Sequence, residues 1–174
     1  REEEERKRKN RRKWIIAGVL SLLVLCVVGL MSEGGSQQTS GNASQDVGET
    51  INGHEYVDLG LPSGLKWATC NVGANKPEDY GDYFAWGETE TKTEYSKGNS
   101  LTLEHSISEL RRRGIVDGNN RLTSSYDAAR AKWGGSWRMP TKEELEELDE
   151  NCRWEWTTQN GVKGCKVTGP NGNS

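Results

Sequence analysis

A nucleophilic cysteine needs a base within hydrogen-bond reach. This chain offers two histidines, His54 and His105, to four cysteines, Cys26, Cys70, Cys152 and Cys165. Each histidine stands alone in a polar stretch, the pattern of a surface side chain. No C-x-x-C pair and no spaced histidine pair is present, so zinc-ligand spacing is missing too. Glu78, Asp79, Asp82, Glu88 and Glu90 fall in one loop-rich stretch without the D-x-D-x-D spacing of a calcium loop, and read as a solvated acidic face. No catalytic residue, cofactor or metal ligand is therefore assigned. The tryptophans remain: Trp67, Trp86, Trp133, Trp137, Trp154 and Trp156 could present flat faces to sugar rings. A chain with a single Phe must spend most of them on its core. Trp154 and Trp156 alternate on a short strand and share one face, with Arg153 and Glu155 on the other. Trp86, Trp154 and Trp156 are the candidate ligand-facing aromatics, with at most one or two of the six expected to be exposed.

These side chains must be positioned by a chain of 174 residues and 19.4 kDa, enough for one ordinary domain. Only 32% of its residues are hydrophobic and its mean hydropathy is −0.86, yet residues 14–31 (WIIAGVLSLLVLCVVGLM) carry no charge. As a helix, that run would extend roughly 27 Å, close to the hydrocarbon thickness of a lipid bilayer. A buried core helix would keep a polar stripe, and here Ser21 stands alone. Residues 1–13 hold eight bases, and no Lys or Arg follows until Lys66. That asymmetry predicts a single-pass membrane protein with a cytoplasmic N-terminus and an extracytoplasmic C-terminal domain. A cleavable signal peptide would end in small residues, whereas the run closes with Gly29-Leu30-Met31-Ser32-Glu33. A lipid-anchored start at Cys26 is disfavoured by the preceding Leu25. Glu2 to Glu5 stand four residues before Arg6 to Lys9, a spacing that supports a solvated juxtamembrane helix over 1–13. The first residue is Arg, so the chain is expected to continue upstream.

Residues 32–50 are Gly, Ser, Gln and Thr with little to bury, a flexible linker with an average reach of roughly 24 Å. Asn42-Ala43-Ser44 matches a glycosylation sequon. Residues 32–174 carry 15 bases and 22 acids, a charge of −7 that argues against nucleic acid as a partner. In the outer domain, 51–174, strands are predicted over 55–59 and 66–72, and residues 83–86 form a third short apolar run. Helices are predicted after Ser106, with a capping-box Glu109, over 127–133 up to Gly134, and from Thr141 to about Glu150, with a capping-box Glu144. Strands and helices are interspersed without a β-α-β repeat, which predicts an α+β domain.

The stretches EYVDLGLPSGLKWATCNVGANKPEDYGDYFAWGET (55–89) and DAARAKWGGSWRMPTKEELEELDENCRWEWTTQNGVKGCKVTGPNGNS (127–174) resemble the Fibrobacter succinogenes major paralogous domain family, in the same order. That resemblance implies a C-type lectin-like fold, in surface or secreted proteins of Bacteroidetes-type bacteria. It also implies that the domain continues past Asn171-Gly172-Asn173-Ser174 into an apolar strand, so that 51–174 is incomplete. Residues 137–144 (WRMPTKEE) also look like a stretch of formylglycine-generating sulfatase-modifying enzymes, although nothing here matches the cysteines that do their chemistry. Cys70 and Cys152 sit in family motifs (WATCNVG and ENCRW), and the resemblance implies a bridge between them. Closing a loop of about 80 residues would add roughly 4 kcal/mol. Cys165 is then left over: a bond to another chain, a bond to a partner in the continuing segment and a free thiol all stand open, with a buried thiol the leading expectation. Taken together, the expectation is a membrane-anchored binding or adhesion module with a carbohydrate or protein ligand. The alternatives are an enzyme of formylglycine-generating type and a structural envelope protein.

Overall fold

A computed structural model describes the backbone of Val28–Gly29 and residues 49–174. The described part is α+β, as its pattern predicts. Strands β1 (Val28–Gly29), β2 (Thr50–Ile51), β3 (His54–Asp58), β4 (Lys66–Ala68) and β5 (Trp137–Arg138) form one antiparallel sheet in the order β2-β3-β4-β1-β5. Strands β6 (Arg153–Gln159) and β7 (Val162–Thr168) pair with each other in a separate hairpin. Helices α1 (Ile107–Arg112), α2 (Ala128–Trp133) and α3 (Lys142–Asn151) fall between β4 and β6.

Local chemistry accounts for most boundaries. The Ser106 side chain accepts from the Glu109 N–H, and Asp127 accepts from the Arg130 N–H, each satisfying a donor of the first helical turn. At α3 the capping box is complete: Thr141 accepts from Glu144 N–H at 3.3 Å, and the Glu144 carboxylate accepts from Thr141 N–H at 2.8 Å. Two hairpins turn on Asn-Gly. Asn52 and Gly53 lie at φ 50 and 83°, and Asn160 and Gly161 at φ 49 and 83°, the left-handed pair a two-residue turn requires.

Strand β4 ends earlier than the predicted 66–72. The Val72 carbonyl accepts from Asp82 N–H at 2.7 Å, and Ala74 N–H bonds to Asn71 O, so the chain folds into a turn instead of extending the ladder. The apolar run at 83–86 forms no strand; it is an irregular segment that buries Phe84. The expected spanning helix over 14–31 lies outside the described residues except at Val28–Gly29. There the backbone is strand, not helix, because it is paired with β4 on one side and β5 on the other. No helix among the described residues is long and apolar enough to cross a membrane.

Tryptophan does carry the core. One buried cluster joins Tyr56, Val72, Phe84, Trp133, Trp137 and Met139. In it Trp133 and Trp137 meet edge to face at 5.1 Å, and Trp137 Nε1–H donates to Ile51 O at 2.7 Å. A second cluster packs Leu59, Leu61, Leu65 and Trp67 of the sheet side against Leu148 of α3 and Cys152. A third, smaller one holds Leu110, Ile115 and Val116. The segment after β7 is tied back onto β3, where Asn171 Nδ2 and Asn173 Nδ2 both donate to Asp58 O, at 2.8 and 2.9 Å. A Cβ on Gly169 would lie 2.0 Å from Leu59 O, so only glycine permits that approach.

Candidate functional site

The three candidate aromatics do not converge. The Trp86 ring is half-buried against the third cluster. Trp154 and Trp156 share a face of β6, as alternation predicts, but the hairpin splits their environments. Trp154 opposes Val167 and packs on the second cluster, while Trp156 opposes Cys165 and is 85% exposed. The same face thus starts in the core and ends in solvent. Trp67, Trp133 and Trp137 are buried, so Trp156 alone of the six presents an open ring. Leaving an indole so exposed forgoes about 4 kcal/mol of burial free energy.

The strand that carries Trp156 is held in place. At the hairpin tip Asn160 Nδ2 donates to Glu78 Oε1 at 2.6 Å, and Gln159 Nε2 to Glu78 Oε2 at 3.3 Å. The first of these bonds is the main cause holding the Glu78 carboxyl below its ordinary range. Tyr80, itself exposed, donates its hydroxyl to Lys163 O at 3.2 Å. Long-range contacts from the 71–80 loop therefore fix the hairpin's attitude. Sequence reasoning had Trp156 but not this brace; the Asn160-Gly161 dipeptide was the signal for the tip.

Two concavities lie elsewhere. An open groove of about 550 Å³ is lined by Glu88, Lys92, Asn99, Leu101 and Tyr126 among others. Its charges are largely committed: Glu88 accepts from Leu101 N–H at 2.8 Å and pairs with Lys92. A smaller notch of about 270 Å³ is lined by His54, Gly73, Asp82, Lys132 and Trp133. His54 stacks on Trp133 at 4.2 Å between ring centroids, and burial pushes its imidazole pKa down. Lys132 pairs with Glu90 at 3.0 Å. His105 lies apart, 3.2 Å from Glu109.

The pairing implied for Cys70 and Cys152 is not formed: both are thiols. They belong to different parts of the core. Cys70 packs on the first cluster with its Sγ–H directed to Ala74 O at 3.6 Å, and Cys152 is a member of the second. Burial pushes both thiols up, which keeps them protonated and poorly nucleophilic at neutral pH. Cys165, expected to be buried, is exposed. Among the described residues no three His, Cys, Asp or Glu side chains are grouped to hold a metal ion.

The most strongly built polar cluster is structural. Arg138 grips Glu144 with two bonds, Nη1 to Oε2 at 2.7 Å and Nη2 to Oε1 at 2.5 Å, and Arg121 stands 3.7 Å away. Burial pushes the Glu144 carboxyl up, but the Arg138 bonds, the Thr141 N–H and the nearby guanidinium charges outweigh it and hold the carboxyl below its ordinary range. Asp127 accepts from Arg130 N–H and Met139 N–H, both at 2.9 Å; burial nevertheless pushes its carboxyl up. Comparison of the chain with family models, with characterised proteins and with solved structures finds no match.

Proposed function

We propose that residues 51–174 form a binding module, displayed outside the cell or in the periplasm by a single membrane span over 14–31, and that Trp156 is its ligand-contacting residue. The ligand class is carbohydrate. The observation that carries this reading is the 85% exposure of Trp156 on a strand braced at its tip by Glu78 and at its far end by the core. A flat indole on a rigid strand stacks on the apolar face of a sugar ring at small entropic cost. The resemblance of 55–89 and 127–174 to Fibrobacter succinogenes major paralogous domains supports a lectin-like fold, and the N-terminal charge asymmetry supports the anchor. Raised thiol pKa values at Cys70 and Cys152 weigh against cysteine chemistry of the formylglycine-generating kind.

The test is binding of the full chain in detergent micelles to an array of glycans and cell-wall polysaccharides, with and without calcium. Reproducible binding that Trp156→Ala weakens by about tenfold or more, equivalent to about 1.4 kcal/mol, supports the reading. A folded chain that binds no glycan under either condition, or whose binding ignores Trp156, overturns it.

A further inference from the structure

The principal sheet is built around an unusual member. Strands β4 and β5 do not pair with each other; β1 lies between them, with Val28 opposite both Trp67 and Arg138, and Gly29 opposite both Lys66 and Trp137. Neighbouring strands sit about 4.8 Å apart, so β4 and β5 face each other across a gap of roughly 10 Å, the width of one strand. With β1 in place the residues opposite it are covered: Trp137 is 0%, Trp67 2% and Arg138 7% exposed, and Lys66 is half-buried. Backbone N–H and C=O groups left unpaired in such a place each cost about 1–3 kcal/mol. A strand is therefore what satisfies both facing edges.

The segment that fills it lies inside the apolar run over 14–31. A short run such as VLCVVGLM satisfies either environment, since periodicity does not separate a buried strand from a buried helix. Its reach also suffices. The 20 residues between Gly29 and Thr50 have an average span of about 25 Å as a Gly-rich coil, against roughly 14 Å across the three strand spacings that separate β1 from β2.

We propose that the space between β4 and β5 is a strand-acceptor slot, that its occupant is the Val28–Gly29 segment of this chain, and that filling the slot and spanning a bilayer are mutually exclusive fates of that segment. The second half rests on the membrane span proposed above. With Val28 and Gly29 in the sheet, only residues 14–27 remain, about 21 Å of helix against a hydrocarbon core of about 30 Å. Insertion of the full run withdraws the strand and opens both edges. The domain is then tethered by 32–50 with an unpaired slot; docked, it is closed on its own N-terminal segment.

The experiment uses the full chain carrying Gly29→Cys and Lys66→Cys, with Cys26 and Cys165 changed to Ser. Opposed residues of an antiparallel pair lie about 4.5–5.5 Å apart between Cα atoms, within disulfide reach. Mild oxidation without lipid is expected to close an internal 29–66 disulfide, seen as a mass change and a gel shift, while a Gly29→Cys/Asn119→Cys control does not. Reconstitution into phosphatidylcholine vesicles is expected to lower the cross-linked fraction about tenfold, in chains that resist carbonate extraction. No cross-link without lipid overturns the slot and its occupant. Equal cross-linking in carbonate-resistant chains overturns the exclusivity. Cross-linking in chains that carbonate removes from the vesicles refutes the membrane span and the exclusivity built on it, and supports the slot. The glycan reading is untouched by any of these results, because its readout is Trp156.

Discussion

Changing Glu144 to Gln removes a charge and almost no volume, so its cost reads the charge that Glu144 shares with Arg138 and, at 3.7 Å, with Arg121. Glu144 offers Oε1 to Arg138 Nη2 and Oε2 to both Arg138 Nη1 and Thr141 N–H. Glutamine has one acceptor and one NH2 group, so at least one of those donors meets another donor. The Arg138 side chain is only 8% exposed and that of Glu144 14%, so solvent screens the pair weakly. Breaking a buried pair from one side costs about 3–5 kcal/mol. Part is retained here through the remaining acceptor and through Met139 O, which Arg138 Nη1 reaches at 3.1 Å, placing the expectation near 3 kcal/mol. The control is Glu146→Gln on the same helix: its partner Lys142 is 74% exposed in its side chain, and the expected loss is below about 0.5 kcal/mol. Urea unfolding followed by Trp fluorescence at pH 7 should lower the midpoint for Glu144→Gln by roughly 1–2 M, at unchanged slope. A midpoint no lower than that of Glu146→Gln would refute the reasoning, and Arg138 would then be solvated in a way the fold does not show.

The pair also sets a pH dependence. The Glu144 carboxyl lies below its ordinary value of 4.5, so its contribution is fully present above that pH and is lost as pH falls through the folded value; Glu144→Gln should flatten that loss. Asp127, pushed up by burial, works in the opposite sense and favours the fold as pH falls. Trp137→Ala, removing a ring of 0% exposure and its bond to Ile51 O, should cost about 3–5 kcal/mol, whereas Trp156→Ala should change stability by less than about 0.5 kcal/mol in the same urea series. In chains unfolded without reductant, both Cys70 and Cys152 should alkylate with iodoacetamide; protection that only a reductant lifts would restore the bridge implied by resemblance.

Signals confined to one turn of chain were legible before the fold. Ser106 and Thr141 cap helices because each side chain meets an N–H three residues on, within reach of residues adjacent in sequence. The Asn52-Gly53 and Asn160-Gly161 turns were equally local and went unread, although their positive φ values are what that dipeptide favours. That tryptophan must build the core followed from composition alone. Which tryptophan escapes did not. Trp154 and Trp156 occupy equivalent positions on one face, and only the docking of β7 against the second cluster covers the first and leaves the second bare. The early end of β4 was hidden for a similar reason: Val72 has strand propensity, but Asp82, ten residues on, takes its carbonyl. The separation of Cys70 from Cys152 depends on which cluster each enters, a matter of packing between elements far apart in sequence. Residues 14–31 mark the limit most sharply. Their apolarity determines that they avoid water, because hydration cost is a property of the side chains themselves. That Val28 and Gly29 are strand is decided by β4 and β5, which pair with them on either side and lie far away in the sequence.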